Sequence, residues 1–252
     1  MTTSLADFFA DAINAPVDPV RDALVDMIKQ RYRATPRHLQ VELGPSDVSH
    51  PCMRKMAMAM TQVPRCNPEY DPLPSILGTA AHSWMESAAR LDNERLGRER
   101  WLIETRLEVA PGLSGSCDLF DTDTLTVIDH KFLGYTSFMS YTKDIGPQYK
   151  AQVTLYGRGF KRLGYDVQRV SVAIFPRSGT LSKMHLWSED YNDDLASEVL
   201  LRRERVIGLC DDLEVEANPD RYQWIPETPY LCIWCPFWAP NPSGPLQCKG
   251  SP

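Results

Sequence analysis

Apolar positions along this chain change period several times, and each change marks an element. Between residues 5 and 33 they recur at helical spacing, with Leu24, Ile28 and Tyr32 on one stripe, which predicts two short helices broken at Pro16 and Pro19. From Val41 to Pro74 the period is lost. Prolines at 45, 51, 64, 68, 72 and 74 predict a wrapped loop there, with a short helix after Cys52. Ser75 is placed to cap a helix through ILGTAAHSWMESAARLDNERLG, which Gly97 stops. The pattern then turns to β-formers in three short runs, WLIETRLEV, GSCDLFD and TLTVIDHKF, separated by PGLSG and Thr122-Asp123. Such close spacing predicts an antiparallel meander. A helix around Pro147 to Leu163 follows, then the strands VQRVSVAIF and KMHLW. A long helix near Glu189 to Leu213 comes last, with Leu195, Val199, Val206 and Leu213 on one side. Helix, three strands, helix and strand, in that order, predict an α+β fold. The stretch from Pro219 to Pro252 holds eight prolines and three cysteines, so it needs a crosslink to be ordered.

Composition narrows the classes without choosing among them. At 252 residues, 43% hydrophobic and 24% charged, the chain is globular and long enough for a sizeable core, which excludes disorder and collagen-like repeats. No apolar run approaches the ~18 residues that span a bilayer. Asp7 and Asp11 stand where a signal peptide carries positive charge. These features predict a cytoplasmic protein with no membrane partner. Thirty-three acidic residues against 27 basic ones give a net charge of -6. That balance argues against a general nucleic-acid coat protein and leaves room for an enzyme with a local basic groove. Seven cysteines, an odd number scattered through the chain, fit metal or cluster ligation better than a disulfide framework.

The candidate chemistry lies on the meander. Asp129 and Lys131 are two apart in a strand and so project from one face, and Asp118 on the preceding strand can approach Asp129 across the ladder. Two carboxylates beside an ammonium suit a hard divalent cation, with the lysine placed to orient a water and to stabilise charge on a phosphorane-like transition state. The same triplet also describes a surface ion pair; what sets it apart is its embedding among apolar neighbours in TLTVIDHKF. His82, with small residues on its N-terminal side in GTAAHSWME, is either a third ligand or a half-buried hydrogen-bonded histidine. Glu86 is one turn further along the same face. Gln152 and Tyr156 share a helix face, where an amide can meet a base or phosphate and a ring can stack, or where the helix simply passes from core to solvent.

Cys232 and Cys235 form CIWC, which lets two thiolates turn onto one metal or cluster edge, and the Pro-rich connection lets Cys248 return to it. For the fourth ligand Cys52 is preferred, because Arg54 and Lys55 beside it can offset thiolate charge, and Cys66 is the reserve. Cys117 is expected on the core face of its strand and Cys210 in helix packing. Four thiolates suit zinc as well as an iron–sulfur cluster.

The segments GTAAHSWME, GLSGSCDLFD, TVIDHKF and QVTLYGRGF, in this order within residues 78 to 160, resemble the RecB-like branch of the PD-(D/E)XK nuclease superfamily. With the flanking cysteines the chain is similar to that branch's iron–sulfur exonucleases, among them the CRISPR-associated adaptation exonucleases and the AddB nuclease domain. Asp stands here where the acid-x-Lys triplet more often has Glu, and the superfamily pattern allows either. The resemblance implies a restriction-endonuclease-like core, a central mixed sheet flanked by helices, over residues 75–215. Residues 1–74 would form a helical and loop region carrying the first cluster cysteine, and residues 216–252 a Pro-rich cluster-binding segment. It implies that His82, Asp118 and Asp129, with the His130 backbone carbonyl, bind Mg²⁺ or Mn²⁺. Lys131 would be catalytic, and Gln152 with Tyr156 would contact DNA. Cys52, Cys232, Cys235 and Cys248 would hold a [4Fe-4S] cluster joining the N- and C-terminal segments. The implied function is a metal-dependent DNA exonuclease acting mainly on single strands or ends, in recombination, repair or phage DNA processing, in a bacterial or phage-infected cell and with recombination or adaptation partner proteins. The alternative is a catalytically inactive zinc- or cluster-containing DNA-binding or adaptor protein.

Overall fold

The computed structural model describes residues 18–34, 43–67 and 71–250. The chain divides into two compact units, Met1–Gln40 and Val41–Pro252. In the first, helix α1 (Pro19–Arg33) is capped by the Asp18 carboxylate, which accepts the Val20 N–H at 2.8 Å, and Arg31 and Arg33 lie in its last turn, where they complement the helix dipole. The earlier of the two helices expected there lies outside the described residues.

In the second unit the stretch expected to be a loop holds two helices, α2 (Pro45–Val48) and α3 (Met53–Met60). Proline interrupts helices but is tolerated in their first turn, and Pro45 sits there. Helix α4 (Leu73–Leu96) starts before Ser75, with the Asp71 carboxylate accepting the Leu73 N–H at 2.8 Å, and stops where Gly97 takes a φ of 65°. The meander forms as expected from β1 (Trp101–Ala110), β2 (Leu113–Asp121) and β3 (Thr126–Leu133). After β3 come α5 (Tyr135–Tyr141), which the sequence pattern does not announce, and α6 (Gly146–Arg162). This crossover lets β4 (Arg169–Pro176) run parallel to β3, and β5 (His185–Asp190) closes the sheet antiparallel to β4. Helix α7 (Asp193–Asp212) follows; Glu189, expected in it, belongs to β5. The result is an α+β unit with a five-stranded mixed sheet in the order β1-β2-β3-β4-β5, flanked by helices.

Two glycines in QVTLYGRGF let α6 lie close against its neighbours. A Cβ on Gly159 would come within 2.8 Å of Leu107 on β1, and one on Gly157 within 2.5 Å of the Tyr191 ring. Phe120 and Phe160 stack at 4.3 Å and tie β2 to the same helix. Gln152 and Tyr156 are thereby carried to a fixed height above the sheet. Among the described residues no helix is long and apolar enough to cross a membrane.

Candidate active site

Strands β2 and β3 pair only from Asp121↔Thr126 to Leu119↔Ile128, and beyond that register they separate. Asp118 therefore does not face Asp129 across a continuing ladder. Its carboxylate fills the gap, where Oδ2 accepts the His130 backbone N–H at 2.6 Å. From α4, His82 Nδ1 comes within 3.4 Å of the same oxygen, and the His82 ring packs edge-on against Phe132 at 5.4 Å. His82, Asp118 and the His130 imidazole each offer a ligand atom within 4.8 Å of the others, the one such group among the described residues. The expectation for His130 concerned its carbonyl; the structure brings its side chain into the group.

Asp129 is 3% exposed and is held from two sides. Gln152 Nε2 donates to Oδ1 at 3.0 Å, and Lys131 Nζ lies 2.5 Å from Oδ2. The ammonium meets Oδ2 as a buried ion pair, so both carboxylate oxygens are held. Lys131 in turn sits over the Tyr149 ring at 5.0 Å. Gln152 and Tyr156, expected to contact DNA, are 6% and 5% exposed. Cover of this degree leaves each little surface, and the Gln152 amide is engaged by Asp129.

Charge in the site is unevenly distributed. Burial pushes the Asp129 carboxyl up to about 6, with Asp118 adding to the rise and Lys131 opposing it. Burial also raises Asp118, but the His82 contact, Lys131 and the His130 N–H bring it below the usual carboxylate range. Burial lowers His82, and Asp118 outweighs that to hold the imidazole above its ordinary value. His130 is lowered to about 4 by burial. In EDTA the folded state should hold the Asp129 proton more tightly than the unfolded chain does. Stability from this group should accordingly fall as pH rises from about 4 to about 6, then level off. Thermal melts across that range should show the decline in the natural chain and its loss in Asp129→Asn.

Glu104 is a site residue that pattern reading missed. It lies between the pairs Ile103↔Leu119 and Thr105↔Cys117, which sets it opposite Asp118, and its φ of 46° is unusual for a strand. Burial and Asp118 push its carboxyl up to about 7. The β1–β2 register is the signal that could have found it. Glu86, one turn from His82 on the same helix face, pairs with Arg90 at 3.7 Å.

A second constellation lies at the C-terminal segment. One cavity is lined by Cys52, Cys232, Cys235 and Cys248, together with Lys55 and Trp238. The Phe237 and Gly250 backbone N–H groups are directed at the sulfurs of Cys235 and Cys248. Gly250 is needed there: with a φ of +59°, its Cβ would lie 2.8 Å from Cys232 Cβ. The His50 ring, which also lines the cavity, accepts the Cys52 N–H at 3.2 Å. Cys66 lies apart, its thiol directed at the Trp238 carbonyl at 3.7 Å. Cys117 is fully buried on the core side and Cys210 half-buried on α7.

No family model and no curated protein matches the chain. Among solved structures it is similar to an alkaline exonuclease from Laribacter hongkongensis, at 14% identity and a TM-score of 0.47 over 73% of this chain and 91% of that one. The same exonuclease in complex with dAMP gives 15%, 0.47, 74% and 95%. A phage-related exonuclease from Haemophilus somnus 129PT gives 15% identity and a TM-score of 0.40 over 56% of this chain and 74% of that one. At these identities and TM-scores the likeness establishes neither fold nor activity for this chain.

Proposed function

We propose that this chain is a Mg²⁺- or Mn²⁺-dependent deoxyribonuclease, an exonuclease acting on single-stranded DNA or at DNA ends. The observation that carries the reading is the convergence of His82, Asp118 and His130 ligand atoms within 4.8 Å of one another, next in β3 to the buried Asp129 carboxylate that Gln152 and Lys131 hold. Carboxylate oxygens suit Mg²⁺ and Mn²⁺, and the imidazole suits Mn²⁺ better of the two. Such a cation would supply Lewis-acid polarisation of a phosphoryl oxygen and a hydroxide-like nucleophile at neutral pH. His82, Asp118 and Asp129 would hold it. The His130 N–H fixes the Asp118 carboxylate and Gln152 fixes that of Asp129, so neither has to reorganise. Lys131, with 19% of its side chain exposed, can reach a phosphate and stabilise the charge that develops there.

Cys52, Cys232, Cys235 and Cys248 would hold a [4Fe-4S] cluster. Four thiolates would suit zinc as well, and the sequence resemblance is what favours the cluster. The cluster would crosslink the Pro-rich segment to the residues around Cys52. A role in recombination, repair or phage DNA processing in a bacterial cytoplasm, with protein partners of those processes, follows from the sequence resemblance alone.

The test is hydrolysis of end-labelled linear DNA beside closed circular single-stranded DNA, each with Mg²⁺, Mn²⁺ or EDTA. Nucleotide release from linear DNA only, abolished by EDTA, is expected. Cleavage of the circle would make the enzyme an endonuclease, and binding without hydrolysis would favour the adaptor reading. His82→Ala should lower the rate at limiting Mn²⁺ by about 10- to 100-fold, with partial recovery at high Mn²⁺, because loss of one ligand weakens metal affinity first. A lowered melting temperature with unchanged Mn²⁺ dependence would make His82 a packing residue.

A further inference from the structure

We infer that Lys55 and Trp238, together with Arg54, form a donor shell that stabilises negative charge on the four-thiolate group of Cys52, Cys232, Cys235 and Cys248, and so sets the potential at which that group takes up an electron. The inference rests on the iron–sulfur reading of the cysteine cavity. Trp238 carries its first observation. Its indole N–H is buried and among the described residues has no acceptor, and the residue lines the same cavity as the four cysteines. An indole N–H ordinarily finds a partner when buried, so this one is placed for an acceptor within the cavity.

Lys55 supplies the second. It projects from α3 into the same cavity, and among the described residues its ammonium has no carboxylate within salt-bridge distance. Burial lowers this ammonium, and the groups whose negative charge opposes that are Cys235, Asp47, Cys52 and Cys232, three of them the candidate thiolates. Arg54 is the third, with Nη1 3.8 Å from Cys248 Sγ. The Ile225 and Gln223 carbonyls hold the rest of its guanidinium in place. The opposing charge is Glu227, whose Oε2 lies 3.6 Å from Cys248 Sγ, but Arg54 pairs with it at 2.6 Å. The balance facing the sulfurs is therefore cationic and donor-rich.

Reduction of the group would transfer one electron from an external one-electron donor and neither form nor break a bond. The added negative charge falls on iron and sulfur, where hydrogen bonds and nearby cations favour it and raise the potential. Lys55→Met should make reduction about tenfold less favourable, a shift of ~59 mV downward for one electron. Trp238→Phe should shift it in the same direction by less, and Lys55→Arg should restore the natural value.

The experiment is an anaerobic dithionite titration with redox dyes, followed by visible absorption on the full chain and the three variants, with iron and acid-labile sulfide measured on each sample. Full iron and sulfide with the lowered potentials supports the donor shell. Full iron and sulfide with potentials equal to the natural chain in Lys55→Met and Trp238→Phe overturns it and leaves the cluster standing. Natural protein without iron and sulfide overturns the cluster reading, and the shell with it. If Lys55→Met cannot retain iron, Trp238→Phe decides by the same criterion.

Discussion

Lys131→Met should reduce DNA hydrolysis at saturating Mn²⁺ by about 10³-fold. The substitution keeps the length of the stem that packs over Tyr149 and removes only the charge, so the fold should persist. Two consequences follow from the geometry. The ammonium 2.5 Å from Asp129 no longer counters the burial of that carboxylate, so its proton is held more tightly and metal affinity falls. The charge that developed on the phosphate also loses its nearest lysine, a loss that more metal does not repair. Saturating Mn²⁺ separates the two. Asp118→Asn and Asp129→Asn should cost about as much as Lys131→Met, and the double variants little more, because members of one catalytic unit are not additive. Single-turnover rates on end-labelled DNA check this, and near-normal turnover in Lys131→Met would remove the lysine from the chemistry.

Cys232→Ala should yield a colourless protein whose C-terminal segment is cut rapidly by proteases. Among its described residues the segment has two short 3₁₀ turns, Pro219–Trp224 and Cys232–Trp234, and one bridge between Trp238 and Cys248, which is little regular structure to hold it. A group shared between Cys52 and Cys232, about 180 residues apart, restricts the unfolded chain as a long-range crosslink does, with a stabilisation on the order of several kcal/mol. Cys235→Ala should behave alike. Cys117→Ala and Cys210→Ala should keep their colour, since neither sulfur lines the cavity. Cys52→Ala and Cys66→Ala, compared for iron and sulfide, assign the fourth ligand: loss in the first and retention in the second is expected, and the reverse would exchange them.

The meander was legible because its turns are written in glycine and polar residues and its runs in β-formers, so the pattern alone places the strands carrying Asp118, Asp129 and Lys131. What sequence could not show was where β2 and β3 stop pairing. Alternation alone sets Asp118 opposite Asp129, whereas the parting of the strands after Leu119↔Ile128 turns its carboxylate to the His130 N–H. The burial of Gln152 and Tyr156 was hidden for a related reason: the helical period places them on one face but says nothing of depth, which Gly157 and Gly159 set by allowing close approach. Asp71 displaced Ser75 at the start of α4, because a carboxylate two residues before Leu73 can reach its N–H. Helix α5 has too short a pattern to announce itself. Glu104 needed the register of β1 against β2, and the orphaned Trp238 N–H needed the folded tail.

The most direct measurement is anomalous diffraction at the manganese edge from crystals of the full chain soaked in Mn²⁺. A metal-dependent nuclease of this design should give a peak bounded by the His82 imidazole and the Asp118 and Asp129 carboxylates, at the group that His82, Asp118 and His130 form. A saturated soak with no peak there, or with ordered manganese only at another set of residues, would contradict the assignment of this site.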